Sequence, residues 1–176
     1  MPKITEEHYY DGARERIARL GLEPLIQELR AALKSFRLSV KEKRNSNGGA
    51  AVRRLLDERF EQSWTKAKSG EIDWTQCHTV NGTRVCIGVE IQVSSRSDLL
   101  VIDIIHLRKA LVSGQIDVGI IVVPSDKLGV YLTDRAPKMS DAKRHVEAAR
   151  ADDLPLVLIA IEHDGPGPPL AKQPKR

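Results

Sequence analysis

The sequence predicts an α/β domain in which a mixed central sheet is flanked by helices. Three patterns carry this prediction: apolar residues at helical spacing in the N-terminal part, a period of two on both sides of Asn81-Gly82, and two continuous apolar runs of the kind that form doubly covered central strands. The expected order of elements is helix, β-hairpin, helix, strand, helix, strand. Of the 176 residues, 41% are hydrophobic and 30% charged, a composition typical of a globular protein with one core.

The first helices are expected in residues 5–40, where apolar side chains recur at helical spacing and Gly21 and Pro24 interrupt the pattern. A basic stretch follows, which leads into the flexible sequence 45–49 and contains Lys34, Arg37, Lys41, Lys43 and Arg44. Residues 51–68 predict another helix, because their apolar side chains fall on one side. Ser69 and Gly70 are expected to end it.

A β-hairpin is expected over residues 72–93, because Asn-Gly is the commonest dipeptide of a two-residue hairpin turn. With Asn81 and Gly82 in the turn, counting outward places Asp73 opposite Glu90, with Cβ atoms about 4.5–5.5 Å apart. Gly88 lies on the same polar face and would leave room for a ligand to approach. The alternation assigns to the core face Ile72, Trp74, Val80, Val85, Ile87, Val89, Ile91 and Val93.

Beyond the hairpin, Ser97 is expected to cap a helix over residues 98–112 that is apolar around most of its surface. Such a helix has more apolar surface than one sheet can cover, which favours a homodimer formed through it or through the helix at 51–68. The later expected elements are a strand at 116–123, a short strand at 130–133, a helix at 140–151 and a strand at 156–161. The proline-rich, basic tail 165–176 is expected to be disordered.

The bulk properties permit DNA binding without establishing it. The net charge is +4 and the pI near 9.1, which also fits an ordinary slightly basic protein. Neither an apolar run of about eighteen residues nor a secretion signal is present, so a cytoplasmic location is expected. Cys77 and Cys86 face each other in the hairpin register; a disulfide is conceivable, and two reduced thiols are the favoured interpretation.

The facing carboxylates of Asp73 and Glu90 are the sharpest chemical signal. Like charges that face each other destabilise a sheet unless a proton or a cation lies between them. Magnesium prefers carboxylate and carbonyl oxygens, so the pair predicts a divalent-metal site. The alternative is that both are ordinary solvent-facing acids on a half-exposed sheet.

The same residues resemble a known family. Ile72-Asp73 followed by Val89-Glu90-Ile91-Gln92-Val93 is similar to the PD-(D/E)xK nuclease core, in the variant of BglII-type (BglII/BamHI-like) type II restriction endonucleases, where glutamine replaces the usual lysine. Residues 93–95, 115–123 and 153–162 resemble the family's later core in the same order. The resemblance divides the chain into an N-terminal helical segment with the basic stretch (1–49), a nuclease core with a restriction-endonuclease-like fold (50–164) and the tail (165–176).

The resemblance implies that Asp73 and Glu90 ligate Mg²⁺, with Mn²⁺ as a substitute, that the backbone carbonyl of Ile91 completes the site, and that Gln92 positions the attacking water. It implies a homodimer that hydrolyses double-stranded DNA at a short palindromic site. Gln92 cannot serve as a strong base, which makes the metal more necessary than where lysine is present. The hairpin is longer than in BglII and the chain shorter than in typical members, which leaves sequence specificity open.

The positions of other residues along the sequence suggest a helix acid and several DNA contacts. A helix acid, Glu58 or Glu61, could reach the site, although the favoured interpretation of each is an ordinary solvated helix face. Candidates for DNA contact lie in three segments: the residues after the strand that carries Glu90, a loop near 133–135, and the basic stretch. They are Ser94, Ser95 and Arg96, then Thr133, Asp134 and Arg135, and finally Lys41, Lys43 and Arg44.

Two other functions remain open at this stage. One is a non-specific or repair-type nuclease of the same fold. The other is a non-catalytic DNA-binding protein that retains the fold, against which the intact Asp73, Glu90 and Gln92 speak.

Overall fold

A six-stranded mixed sheet forms the centre of the molecule. The computed structural model describes residues 1–66, 71–94, 96–133 and 135–172. The strands of this sheet are β1 (Lys3–Tyr9), β3 (Thr65–Lys66), β4 (Trp74–Val80), β5 (Thr83–Ile91), β6 (Val118–Pro124) and β7 (Leu156–Glu162), and their order is β1-β7-β6-β5-β4-β3. β5, β6 and β7 run parallel, whereas β1, β4 and β3 join antiparallel at the two sides. The fold is thus the mixed α/β, restriction-endonuclease-like architecture that the sequence predicts.

Helices cover both faces of this sheet. They are α1 (Ala13–Leu20), α2 (Glu23–Lys34), α3 (Gly49–Phe60), α4 (Leu100–Val112), α5 (Asp126–Tyr131) and α6 (Met139–Ala148). One apolar cluster joins α1, α2 and α3 to the face that carries Trp74, Val89 and Ile91. The other cluster joins α4 and α6 to the opposite face, where Cys86 and Ile121 lie. The strands β6 and β7 are buried along their whole length, as their continuous apolar sequences predict.

The hairpin has the predicted turn and register. Asn81 and Gly82 both have positive φ, as a two-residue turn of this kind requires, and the pairing runs from Val80 opposite Thr83 to Trp74 opposite Val89. The expected core face is wrong for Ile72, because the chain bends at Asp73 and Ile72 joins the α4 side. The side chains of Ile72 and Ile116 fill the space beside Gly88, so this glycine leaves no room for a ligand.

Several expected element bounds differ from the structure. Residues 3–9 form the edge strand β1 on β7 instead of the start of a helix. Residues 126–131 form α5, which the Ser125 hydroxyl caps by accepting the Leu128 N–H at 3.0 Å, so the short strand expected at 130–133 is wrong. The helix expected at 51–68 begins at Gly49 and ends at Phe60, and residues 67–70 lie outside the described residues.

Other differences concern the ends of elements. Ser97 lies in a short 3-10 turn, Ser97–Leu99, and makes no side-chain cap for α4. The tail is ordered through residue 172: β8 (Gly165–Pro166) pairs with β2 (Ser39–Val40), and Leu170 exchanges hydrogen bonds with Gly48 and Asn47. Residues 173–176 lie outside the described residues.

Cys77 and Cys86 are joined by a disulfide bond, which corrects the expectation of free thiols. The hairpin register brings their Cα atoms to 4.1 Å, within reach of such a bond. In the part of the chain that the structure describes, no helix is both long and apolar enough to cross a lipid bilayer.

Candidate active site

Asp73 and Glu90 lie side by side at the open end of the hairpin. The Asp73 N–H donates to Glu90 Oε2 at 3.3 Å, and the Ile91 N–H donates to Asp73 Oδ2 at 2.9 Å. The Asp73 side chain is 26% exposed, whereas Glu90 is 2% exposed as a residue. The structure therefore brings together the two acids and the Ile91 backbone, and one of the acids opens to solvent.

Helix α4 adds two polar groups that face Glu90 from the covered side of the sheet. His106 Nδ1 lies 3.2 Å from Glu90 Oε1, and the ligand atoms of Glu90, Asp103 and His106 all lie within 4.8 Å of one another. Positions 103 and 106 are three apart and so share one helix face. The Asp103 Oδ2 atom is shielded from solvent and has no hydrogen-bond partner among the described residues. Such an orphaned oxygen calls for a further ligand or a proton.

The acids Asp73, Glu90 and Asp103 bring an excess of negative charge to this site. Burial, reinforced by the charges of Asp73 and Asp103, raises the pKa of Glu90 to about 10. Burial and the charge of Asp73 raise the pKa of Asp103 to about 7, although Arg53 acts in the opposite direction. Without an added cation, the cluster therefore holds protons at neutral pH. A divalent cation would supply the positive charge that the carboxylates lack.

One internal cation already contacts part of this site. From α3, Arg53 donates from Nη1 to the Ile91 carbonyl at 2.7 Å and pairs through Nη2 with Asp73 at 2.8 Å and through Nε with Asp57 at 2.9 Å. Burial lowers the pKa of Arg53, but the hydrogen bond and charge of Asp73, together with Asp57, outweigh it and raise the pKa. The Trp74 indole N–H in turn donates to Asp57 Oδ1 at 3.3 Å.

Gln92 follows directly on β5, two positions beyond Glu90. Its N–H donates to the Val122 carbonyl at 2.9 Å, which continues the parallel pairing with β6, and the residue is 6% exposed. Glu58 and Glu61 are both exposed, and neither bonds to the site within the described parts of the chain. The acid of α3 that reaches the site is Asp57, one position before the expected Glu58.

The expected DNA-contact residues fall into two groups. Two of them, Arg44 and Arg135, line one cavity of about 560 Å³ together with Ser97 and Lys138, and the Ser97 N–H donates to the Arg135 carbonyl at 3.1 Å. This bond ties the segment after β5 to the loop before α6.

The remaining candidates are more scattered. Lys41, Lys43 and Arg96 are exposed, Arg96 pairs with Asp98, and Ser94 is half-buried. The Thr133 N–H donates to the Asn47 carbonyl at 2.8 Å, whereas Ser95 and Asp134 lie outside the described residues.

Sequence reasoning missed four residues of this site: Arg53, Asp57, Asp103 and His106. A usable signal existed for the last two, because they are polar residues three positions apart on a helix that is otherwise mostly apolar. No comparable signal marks Arg53, because α3 carries several charged residues with helical neighbours.

Comparison with known proteins agrees with this geometry. No curated protein matches the chain. The family model for the restriction endonucleases BglII/BglIII matches residues 5–161, a range that contains the whole central sheet except the ends of β1 and β7, and all the residues placed in the site above. The chain belongs to the BglII/BglIII family of restriction endonucleases.

Proposed function

We propose that this restriction endonuclease is a magnesium-dependent type II enzyme, which hydrolyses phosphodiester bonds of double-stranded DNA at a short palindromic site. The observation that carries the proposal is the interlocked pair Asp73 and Glu90, with the Ile91 carbonyl beside it. Solvent reaches Asp73 but not Glu90, so a substrate phosphate can approach one side of the pair.

The residues present fit a hard divalent cation. Asp73, Glu90 and the Ile91 carbonyl offer oxygen ligands, and the orphaned oxygen of Asp103 adds another that is close to Glu90. A bound Mg²⁺, or Mn²⁺ in its place, would polarise the scissile phosphate and lower the pKa of a water molecule. His106 stands next to Glu90 and orients this carboxylate.

Gln92 has a positioning role in this proposal. Its amide can donate to or accept from a water molecule but cannot take up a proton at neutral pH. Its backbone is fixed by the bond to Val122, so the side chain starts from a rigid point on the sheet. Gln92→Ala should therefore slow cleavage while leaving metal binding in place.

The cavity lined by Arg44, Arg135 and Lys138 is the best candidate for phosphate contact. Three cationic side chains converge there beside the segment that follows β5. Lys41 and Lys43 are exposed and come shortly before Arg44 in sequence, and Ser94, Ser95 and Arg96 come shortly after β5 in sequence. Contacts of this kind position DNA without reading its sequence, so their loss should weaken binding to all sequences and reduce its salt dependence.

The exposed side of α4 supports the homodimer. Leu99, Ile102, Ile105 and Val112 are 41–79% exposed on or next to this helix. An isologous interface on such a patch would give the two-fold symmetry that a palindromic target requires. Light scattering that gives 19.6 kDa with and without DNA would contradict this assembly.

The test of the activity is digestion of plasmid DNA in Mg²⁺, in Ca²⁺ and in a chelator. Discrete bands in Mg²⁺ are expected, and Ca²⁺ should support binding without cutting, because its looser coordination organises the attack poorly. A smear would indicate a non-specific nuclease, whereas binding without cutting in any metal would indicate a non-catalytic DNA-binding protein. Undiminished cleavage in the chelator would refute the metal site.

A further inference from the structure

Arg53 holds two of the groups that the proposed function gives to the metal. Its guanidinium donates to the Ile91 carbonyl at 2.7 Å and pairs with Asp73 Oδ1 at 2.8 Å. Asp73 is the partly exposed acid of the site, whereas the buried Glu90 contacts His106. Arg53 therefore supplies both oxygens with a positive charge from the protein itself.

A guanidinium and a divalent cation compete for these two oxygens. Mg²⁺ binds oxygen at about 2.0–2.1 Å in a strict octahedron, and two cations that share one carboxylate and one carbonyl repel each other strongly in a partly buried site. Binding of one cation therefore weakens the contacts of the other.

Arg53 has a tether that does not involve the metal ligands. Its Nε pairs with Asp57 Oδ1 one helical turn along α3, and the same oxygen accepts from the Trp74 indole N–H at 3.3 Å. The outer nitrogens can therefore turn away from Asp73 and Ile91 while the side chain stays at the site. A planar guanidinium whose Nη1 and Nη2 groups are both free is well suited to a phosphate group.

We propose that Arg53 is a further functional cation of this nuclease: it occupies Asp73 and the Ile91 carbonyl in the metal-free protein, gives them up to the divalent cation, and then binds the phosphate at the cleavage site while tethered to Asp57. This inference rests on the proposed function. Loss of Arg53 should raise the affinity for the metal, because a competitor of the metal is removed. The same loss should lower the cleavage rate, because a ligand of the substrate phosphate is removed.

The test compares Arg53→Gln, Arg53→Lys and the control Arg54→Gln, which removes one charge from the next, exposed position of the same helix. Calorimetric titration of DNA-free protein with Mn²⁺ and with Ca²⁺ gives the metal affinity, and single-turnover cleavage in Mg²⁺ gives the rate. Arg53→Gln should bind metal about tenfold more tightly, because a competing charge-assisted hydrogen bond is gone. It should cleave about a hundredfold more slowly.

The controls distinguish the simultaneous contact of Arg53 with two oxygens from the effect of its positive charge alone. Arg54→Gln should stay within about twofold of the parent in both measurements. Arg53→Lys keeps the charge but reaches only one oxygen at a time, so it should also bind metal more tightly while losing less of the cleavage rate. Thermal melting in chelator shows whether each variant is folded, and Arg53→Lys carries the test if Arg53→Gln is not.

The outcomes are distinct. Unchanged or weaker metal binding in folded Arg53→Gln and Arg53→Lys would overturn the competition, and cleavage at the parent rate would overturn the phosphate contact. An equal gain of metal affinity in Arg54→Gln would reduce the effect to net charge and overturn the specific role of Arg53. Absence of metal binding in the parent protein would instead refute the proposed metal site.

Discussion

Two buried glutamates near the ends of parallel strands, each beside a histidine, have very different surroundings. Glu162 on β7 accepts a hydrogen bond from the Ser125 hydroxyl and another from the His163 N–H at 3.0 Å, and it contacts His163 Nδ1 as well. The other ring nitrogen of His163 lies 2.8 Å from Glu42 Oε1. Every group of this chain of contacts has a partner within the protein, as buried polar groups in stable cores do.

The polar groups around Glu90 on β5 are not all paired in this way. Glu90 is surrounded by two further acids, Asp73 and Asp103, and one Asp103 oxygen has no partner among the described residues. Burial, reinforced by the charges of these two acids, raises the pKa of Glu90 to about 10. The side chains around Glu162 form a fully hydrogen-bonded network of the kind that stabilises a core. The side chains around Glu90 have the unbalanced charges that are typical of a functional site. Four predictions test this difference, from the largest effect to the smallest.

The largest effect is expected for Glu90→Gln. The cleavage rate in Mg²⁺ should fall by about 10³-fold, because the variant loses a proposed metal ligand. The melting temperature in chelator should stay equal or rise, since one buried acid is gone. Asp73→Asn should lose cleavage in the same way. Cleavage by Glu90→Gln at the parent rate would show that the active site lies elsewhere.

Glu162→Ala should act through stability instead. It leaves the Ser125 hydroxyl and His163 without their buried partner, and breaking such a pair costs about 3 kcal/mol in the free energy of unfolding. Urea denaturation measures this loss. The cleavage rate of the folded fraction should match that of the parent. A loss of cleavage without a loss of stability would mean that the two groups do not differ in role.

The pH dependence of stability provides a third test. The folded protein keeps protons on Glu90 up to about pH 10 and on Asp103 up to about pH 7, whereas the unfolded chain releases them near 4.5 and 3.8. Because the folded state binds more protons within these windows, the stability of the metal-free protein is highest below them and falls as pH rises, by about 1.4 kcal/mol per pH unit for each linked proton.

Thermal melting in chelator from pH 5 to pH 9 measures this fall, and Glu90→Gln is the matched control. The slope should become smaller in the variant. Mg²⁺ should restore stability most at high pH, where its ligands release their protons most readily. A metal-free melting temperature that rises with pH over this range would contradict the assigned protonation of Glu90.

The smallest effect is expected for Asp103→Asn. Removing this charge should stabilise the metal-free protein by about 1 kcal/mol, since an acid with one shielded, unpartnered oxygen becomes a neutral amide. The charge of Asp103 also helps to raise the pKa of Glu90, so the stability slope of the variant should shift to lower pH. Mn²⁺ affinity, measured by calorimetry, should fall. Asp98→Asn, an exposed acid near the start of α4, is the control.

Counting residues outward from the hairpin turn predicts the part of the site that lies on the hairpin. An Asn-Gly turn sets the register of the residues next to it, and each further pair follows from the one before. The sequence therefore places Asp73 beside Glu90 without any knowledge of the remaining chain, and the structure confirms this neighbourhood. The same counting brings Cys77 opposite Cys86, although the expectation of reduced thiols is wrong.

The other parts depend on contacts between distant segments. Residues 3–9 carry a polar sequence that suits a helix equally well, and they become strand β1 only because β7 offers a free edge about 150 positions later. The face of β5 that bears Glu90 looks solvent-exposed in its alternation, yet α4 covers it and brings Asp103 and His106 to Glu90.

By itself, the sequence determined the order of the central elements, the hairpin register and the acidic pair, because each of these follows from short-range periodicity and turn geometry. Only the tertiary structure decided which helix faces the pair. The turn of α4 that carries His106 and the turn of α3 that carries Arg53 meet the end of β5 from opposite sides of the sheet. Helical spacing shows which residues share a face, but the partner of that face is set by packing across the whole core.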